Sequence, residues 1–432
     1  MLPLVRIGPL EAALARGLGP QGDLRRELEP FADAPLQSGE ESLAVAKAIV
    51  ELARRGVPEL TPTSPVLLAA GLLQEVASPE ALDPVTSIAL PVLVKVYDEH
   101  APRDAASAER LDSARVAGLL FLLKLFAMFG ERAGVERIIA AAQLPLAPAD
   151  EMWAVVFHQI GADHPHRHAF VGRLLDPLPS GVIGLAHLDL ANRLAGANEF
   201  VRHPYDDAAG WDRLRSLLQQ TSAPHGSITA AAALAFIKPP AADELLGWAA
   251  GNPDPRTRLE AAWAAAKLGA EAGVETLRGF CLQPIWSRRA SDYLKELGLE
   301  QAIPAEARDP RFAALAEFSA WLAHPLEFGR PPDEAELIGE ATLTWPPTND
   351  VRTLRLFRYR YNNAGAEPFI SLGLVGSITF SLRIPAETPP DDVLALHCCW
   401  ELAATRDPRA PQKLSVEFGR NLIENAQPRR PG

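Results

Sequence analysis

Histidines are concentrated in one short stretch of the chain, and imidazole nitrogens are common ligands of zinc and other transition metals. His158 is followed by His164, His166 and His168. The last three are two residues apart, and this spacing does not put two imidazoles on one helical face as the HExxH motif does. Asp163 is the local carboxylate. We interpret the stretch as a polar turn between helices, with metal binding by the last three histidines as the alternative.

A second set of metal-binding or nucleophilic side chains occurs in the run HCCWE. His397, Cys399 and Glu401 are two residues apart, so they share one face if the run is a β-strand. Such a face has the groups for a metal or thiol site. Reactive thiols need an electropositive and accessible setting, whereas a buried free cysteine behaves as a small hydrophobic residue. We favour an ordinary strand face and keep the site as the alternative.

A third candidate is a run in which arginine and aromatic side chains are interleaved. The arginines are Arg352, Arg355, Arg358 and Arg360, and the aromatic residues are Phe357, Tyr359 and Tyr361. Arginine and aromatic side chains at a surface favour recognition of a peptide or a single-stranded nucleic acid. The alternative, which we favour because the chain is acidic, is that they form cross-strand pairs in a sheet. We keep Arg358, Tyr359 and Arg360 as candidate partner contacts.

No local motif predicts a catalytic centre. The sequence contains no GxGxxG after a strand, no P-loop, no GxSxG and no HExxH. We therefore name no catalytic residue and expect no cofactor. An enzyme is not excluded by this, because sites assembled from distant residues leave no local motif.

Charge argues against nucleic acid and membrane partners. The chain has 54 acidic against 42 basic side chains and a formal net charge of −12. Such a surface repels phosphate backbones and anionic lipid. The most apolar stretch, residues 116–129, is too short to cross a bilayer and contains Lys124, so we predict a buried helix there.

Localisation is predicted from the N-terminal segment and the cysteines. The first residues lack the apolar run and cleavage site of a signal peptide. The 3 cysteines are too few and too unevenly spaced for a disulfide framework, which suits a reducing compartment. We expect a cytoplasmic protein, and the abundance of Ala, Leu, Arg and Pro is typical of a GC-rich bacterial genome.

An internal repeat predicts the elements that carry these residues. Similar segments begin at Pro224, Pro255 and Pro284, with the prolines 31 and 29 residues apart. Each is a proline-led helix followed by a shorter apolar segment. Repetition at this period is typical of a solenoid of stacked helix pairs. A second similarity links Gly130 and Gly134 to Gly269 and Gly273, which predicts the same helical hairpin at both places.

The best-defined copy resembles a known family. Asp254, Pro255 and Arg258 form the pattern D-P-x-x-R before an alanine-rich helix that closes at Gly269. This resembles the short HEAT-like repeats, a family that includes the phycobilisome-lyase type. The resemblance is strong over residues 224–300 and weaker over 40–325. Asp309 and Pro310 resemble the start of a further degenerate copy.

Two residues of the repeats depart from the family pattern. Thr257 stands where the family prefers valine, and Gln283 replaces the aspartate of the third copy. The resemblance implies an α-solenoid that offers a concave face to a partner, and it carries over no catalytic residue. In such repeats the second helices line that face, so Trp248, Arg278 and Phe280 are the expected contacts.

The pattern of apolar residues changes near residue 330 from helical to alternating. Alternation over 337–345, 352–361, 370–384 and 393–402 predicts an antiparallel sheet with one solvated face. The segment 414–426 fits either a strand or a closing helix. We therefore predict two domains, a HEAT-like α-solenoid at 1–330 and an antiparallel β module at 331–432.

The sequence thus predicts a mainly α protein that acts as a non-enzymatic scaffold or adaptor for a protein partner. The alternative is a lyase-like or cofactor-handling enzyme with a pocket between solenoid and β module, built from groups such as His397, Cys399 and Arg358. A HEAT-like nucleic-acid binder is disfavoured by the acidic charge.

Overall fold

The computed structural model describes residues 7–32, 34–144, 146–161, 163–220, 224–362, 367–377 and 380–427. The chain divides into two compact units, residues 1–252 and 253–432. Most of the described chain is helical, and a small antiparallel sheet lies towards the C-terminus. The predicted fold class is therefore confirmed.

The first unit is built from helices. They are α1 (Ile7–Gly17), α2 (Leu24–Leu28), α3 (Gly39–Arg54), α4 (Pro65–Gly71), α5 (Pro79–Pro84), α6 (Leu90–His100), α7 (Ala105–Glu109), α8 (Ser113–Phe129), α9 (Arg132–Gln143), α10 (Met152–His158), α11 (Arg167–Arg173), α12 (Gly181–Gly196), α13 (Ala208–Gln219), α14 (Pro224–Ala233) and α15 (Ala241–Ala250). Helix α8 contains the most apolar stretch, and most of its side chains are buried, as predicted. Among the described residues, no helix combines the length and hydropathy that a bilayer crossing requires.

The second unit combines helices with the sheet. Its elements are α16 (Pro255–Lys267), α17 (Glu271–Cys281), α18 (Pro284–Glu296), α19 (Pro310–Leu322), β1 (Glu334–Trp345), β2 (Asp350–Tyr361), β3 (Phe369–Val375), β4 (Phe380–Pro385), α20 (Pro390–Ala404) and α21 (Val416–Ala426). The strands are antiparallel neighbours in chain order. The segment 414–426 therefore ends in a helix, one of its two predicted forms.

Helices begin at the prolines that the repeat predicted. Proline fixes the backbone for the first helical turn and lacks only a hydrogen that this turn leaves unpaired. Helices α14, α16, α18 and α19 start in this way. Asp254 caps α16 by accepting a hydrogen bond from the Arg256 backbone at 2.8 Å, and Asp309 caps α19 in the same manner.

Paired glycines build the same helical hairpin in both units. Gly130 and Gly269 end α8 and α16 with positive φ angles of 60° and 89°, which glycine adopts without strain. Four residues later, Gly134 and Gly273 lie against the preceding helix. A Cβ on Gly273 would stand 2.7 Å from the Ala262 carbonyl oxygen, so α17 approaches α16 closely only because the side chain is absent.

Both faces of the sheet are covered by helices, so the prediction of one solvated face is wrong. On one face, Leu354 and Leu372 pack with α20 residues such as Cys398. On the other, Phe357 packs with Phe318 of α19. An alternating pattern predicts one wet face only when the second set of side chains is polar. Here aromatic residues occupy part of that second face.

A bulge in β1 changes which residues share a face. The pairing of β1 with β2 shifts between Leu337 and Gly339. Leu337 therefore packs with the α19 side, whereas Leu343 and Trp345 pack with the α20 side. The uninterrupted alternation that we predicted from residue 337 to 345 is wrong at this point, because a bulge inserts one unpaired residue. The predicted run 370–384 is likewise two strands, β3 and β4, and residues 378–379 of it lie outside the described residues.

Residues 393–402 form part of α20 and not the predicted strand. Pro390 occupies the first turn, and Asp391 and Asp392 follow it, where their charge complements the helix dipole. Val393 and Cys398 of this helix face the sheet. The apolar run fitted either period, and these start signals decide for the helix.

The outer edge of β1 is closed by a side chain. The amide of Gln427, just after α21, accepts from the Thr344 backbone N–H at 3.1 Å and donates to the Thr344 carbonyl oxygen at 3.1 Å. It therefore makes, at this residue, the two bonds that a neighbouring strand would make.

Helix α19 joins the helices of the second unit to the sheet. The buried ring of Phe318 stacks on Phe357 with centroids 5.2 Å apart and lies edge-on to Tyr359 at 5.4 Å. The same ring lies against the backbone of Gly373 in β3. The boundary predicted at residues 330–331 falls inside this unit, and the two-domain division stays a prediction.

Replacing Gly373 tests this contact. A Cβ there would overlap the Phe318 ring, so we expect Gly373→Ala to lower the free energy of unfolding by about 1–3 kcal/mol. Urea denaturation followed by circular dichroism measures it. Gly279→Ala in α17 is the matched control, because its added Cβ would meet no described atom within 4 Å apart from the backbone of its own helix. Equal stability of the two variants would contradict the packing described here.

Candidate protein-binding surface

The ring nitrogens of two of the candidate metal-binding histidines, His164 and His168, point to different partners. Nε2 of His164 lies 3.0 Å from the Ala127 carbonyl oxygen, and its Nδ1 accepts from the backbone of His166 at 3.1 Å. His168 Nε2 lies 2.9 Å from Glu199, whose pKa is held low mainly by Arg167. In the part of the chain that the structure describes, no three potential ligands are grouped as a metal site requires.

Helix α20 separates the second candidate set. His397 and Glu401 lie one turn apart, whereas Cys399 faces elsewhere and its Sγ donates to the Ser415 carbonyl oxygen at 3.2 Å. Glu401 accepts a hydrogen bond from Trp345 Nε1 at 2.7 Å. Burial raises the pKa of the Cys399 thiol, which disfavours the thiolate that nucleophilic chemistry needs. The three residues do not form the shared face predicted for a strand.

The candidate arginines on β2 pair across the sheet. Arg358 meets Glu336 at 2.6 Å and Arg360 meets Glu334 at 3.6 Å, both on the neighbouring strand β1. Tyr359 is fully buried in the core against α19. This arrangement favours cross-strand pairing over recognition of a partner.

The predicted contacts on the second helices differ in exposure. Trp248 on α15 is 50% exposed, which is unusual for so large an apolar side chain. Arg278 on α17 is exposed and pairs with Glu275 at 2.9 Å. Phe280 is buried in the core of the second unit, so it is not available for a surface contact.

Glycines flank the exposed tryptophan. Gly247 precedes Trp248, and a Cβ on it would meet no described atom within 4 Å. Gly251 follows one turn later and would meet only carbonyl oxygens of its own helix. Neither glycine places a side chain beside the indole. Tryptophan at such positions is enriched among residues that dominate binding energy.

A buried polar clamp fixes the first helices of successive copies. Glu260 of α16 is buried and accepts hydrogen bonds from the hydroxyl of Tyr293 on α18 at 2.7 Å. Arg289 of α18 pairs with the same carboxylate at 2.6 Å. Burial raises the pKa of Glu260, and the Arg289 charge opposes that rise. Sequence analysis missed this clamp, although a lone carboxylate among the apolar residues of α16 was its signal.

Aromatic stacking extends the clamp along the two helices. Trp263 stacks on Tyr293 with centroids 5.3 Å apart. Lys267 lies over Trp263 at 4.8 Å, and Arg289 lies over Tyr293 at 5.5 Å. Cation–π contacts of this kind add to the hydrogen bonds. The clamp therefore holds α16 and α18 in a fixed register. Helix α17 connects these two helices along the chain.

Comparison with known proteins identifies the repeat. Residues 212–303 match the family of HEAT repeats. This stretch includes Trp248 and the Glu260 clamp, and it extends from α13 to α18. The match supports a HEAT-like repeat protein and fits stacked helix pairs, and the phycobilisome-lyase type remains a prediction. Searches of curated proteins and of solved structures gave no significant match.

Removing one hydroxyl tests the clamp. We expect Tyr293→Phe to destabilise the second unit by about 2 kcal/mol, because the buried Glu260 carboxylate loses a hydrogen bond while the aromatic stack remains. Hydrogen–deuterium exchange should become faster across α16 and α18. The control, Arg278→Ala, removes only an exposed ion pair and should change stability by less than about 0.5 kcal/mol. Equal exchange in both variants would refute the clamp.

The buried His397 predicts loss of stability in acid. Both of its ring nitrogens lack a partner among the described residues, and burial lowers its pKa from 6.5 to about 4. Protonation therefore favours the unfolded chain. Stability contributed by the neutral ring is complete above pH 6.5 and is lost as the pH falls towards 4, by about 3 kcal/mol.

Replacing His397 should reduce the change in the free energy of unfolding between pH 6.5 and 4. We expect His397→Leu to lose less stability than the wild type between pH 6.5 and 4 in urea denaturation. His225→Leu, which changes an exposed histidine, should keep the wild-type profile. Parallel profiles for wild type and His397→Leu would show that His397 does not titrate in this way.

Proposed function

We propose that this protein is a non-enzymatic scaffold or adaptor that binds a protein partner through the second helices of its HEAT repeats. Stacked helix pairs of this kind commonly present extended surfaces to other proteins. The HEAT match over residues 212–303 supports the proposal, since it contains α15 and α17. The net charge of −12 supports a protein over a nucleic acid as the partner.

The half-exposed indole of Trp248 is the observation that carries the proposal. An aromatic side chain of this size gains more from burial at an interface than a charged neighbour does. The bordering glycines place no side chain beside the indole. Arg278, which is exposed on α17 in the second unit, is proposed separately as a contact. Arg358 and Arg360 are weaker candidates, because Glu336 and Glu334 already pair with them.

A cytoplasmic location is part of the proposal. Cys281, Cys398 and Cys399 are all free and buried, which suits a reducing compartment.

The alternative of a lyase-like enzyme has less support. It required His397, Cys399 and Arg358 to act together. His397 and Cys399 are buried on α20, whereas Arg358 is exposed on β2 and paired with Glu336. A nucleophilic thiol also needs a lowered pKa, and burial raises the pKa of Cys399.

Site-specific cross-linking tests the scaffold. We expect a photoreactive benzoylphenylalanine at position 248 to cross-link one partner protein in the native host. The same residue at Val201, which is fully exposed in the same unit, should give none. Trp248→Ala should lower recovery of that partner tenfold or more, because an anchor of this type contributes about 2 kcal/mol or more. Cross-links of equal yield at both positions, or none at 248, would refute the proposal.

A further inference from the structure

A groove crosses the N-terminal part of the first unit, well outside the HEAT match. Its central cavity of about 730 Å³ lies between α2, α4 and α8. A second cavity of about 310 Å³ shares Ala32, Gly71, Leu72 and Gln74 with it, and a third of about 590 Å³ shares Asp23, Arg25 and Leu68. We call these three neighbouring cavities, which share lining residues, the N-terminal groove.

One face of α8 lines the groove. Ala117, Phe121, Lys124 and Met128 follow one another at intervals of four, three and four residues, so they lie along one side of the helix. All four are only partly buried, whereas most of α8 around them is fully buried. The stripe is about 16 Å long. It matches in length and spacing the apolar face of a second helix laid along it.

The methionines of the chain are concentrated here. The sequence has 3 methionines, of which one is Met1. The other two, Met128 and Met152, both line the groove and are partly exposed. Methionine side chains are flexible and polarisable, and they are used at surfaces that adapt to a bound helix.

Lys124 supplies the polar specificity. Its Nζ donates to the amide oxygen of Gln74, and within the described residues it forms no ion pair with a carboxylate. A partly buried cation with only a neutral partner favours an incoming carboxylate. The rim carries exposed residues of both signs, including Arg25 and Glu29, so it adds no net preference.

We propose that the N-terminal groove binds an amphipathic helix of a protein partner, and that an acidic residue of this helix pairs with Lys124. Apolar residues of the bound helix, spaced three and four apart, fill the spaces beside Phe121 and Met152. Leu68 and Leu72 form the facing wall. This site is separate in position and chemistry from the proposed contact at Trp248.

Selection from a displayed library of helical peptides on the full chain tests the groove. We expect enriched peptides to carry apolar residues at three- and four-residue intervals with an aspartate or glutamate beside them. Lys124→Glu should weaken the selected peptide tenfold or more, and changing the acidic residue of that peptide to lysine should restore binding. Lys124→Met, which removes the charge and keeps much of the side-chain volume, provides a second variant.

Two controls separate this site from other surfaces. Lys95→Glu makes the same charge change at an exposed position on α6, outside the lining of the groove, and should leave affinity unchanged. Trp248→Ala should also leave it unchanged, so failure of this proposal is distinguishable from failure of the scaffold proposal. Selection of no helix, or of helices without acidic residues, would overturn the proposal. So would affinity that is insensitive to both Lys124 variants.

Discussion

Contact between the Phe318 ring and the backbone of Gly373 holds the second unit together. Helix α19 follows the repeat helices along the chain, and the same helix covers one face of the sheet. Because the ring occupies the space of a missing side chain, the sheet lies closer to α19 than any larger residue would permit. Aromatic residues on β2 complete this layer. Helix α19 and this face of the sheet therefore share one core.

The spacing of the repeat helices depends on two different kinds of contact. Small residues set the close approach within a hairpin, as Gly273 does for α16 and α17. A buried carboxylate sets the register between hairpins, since Glu260 needs Tyr293 and Arg289 within hydrogen-bond reach. Close packing at glycine does not select which helix packs against it. The buried carboxylate, in contrast, is fully hydrogen-bonded in only one alignment of the two helices. Together they give the stiffness that a binding surface needs if its contact residues are to be held in place.

Sequence reasoning succeeded where one residue fixes the local backbone. Prolines predicted the starts of α16 and α18, and Gly130 and Gly269 predicted the hairpins, because each acts through its own backbone angles. It failed where the outcome depends on packing. The bulge after Leu337 depends on the layers that cover the sheet. The helical state of residues 393–402 was missed although Pro390 and the two aspartates after it signal a helix start. Trp248 was predicted as a contact from its helix, but its exposure depends on neighbours far along the chain. Glu260 was missed because its partners lie some thirty residues away.

The amide of Gln427 has a consequence for colloidal behaviour. A long outer strand invites another chain to extend the sheet, and open edges are a common origin of fibrous aggregates. On β1, the Thr344 groups that face outwards are already bonded to Gln427. A segment far along the chain thus occupies one pairing position on the edge of the sheet. Loss of the last helix would leave the backbone groups of Thr344 open to pairing with another chain.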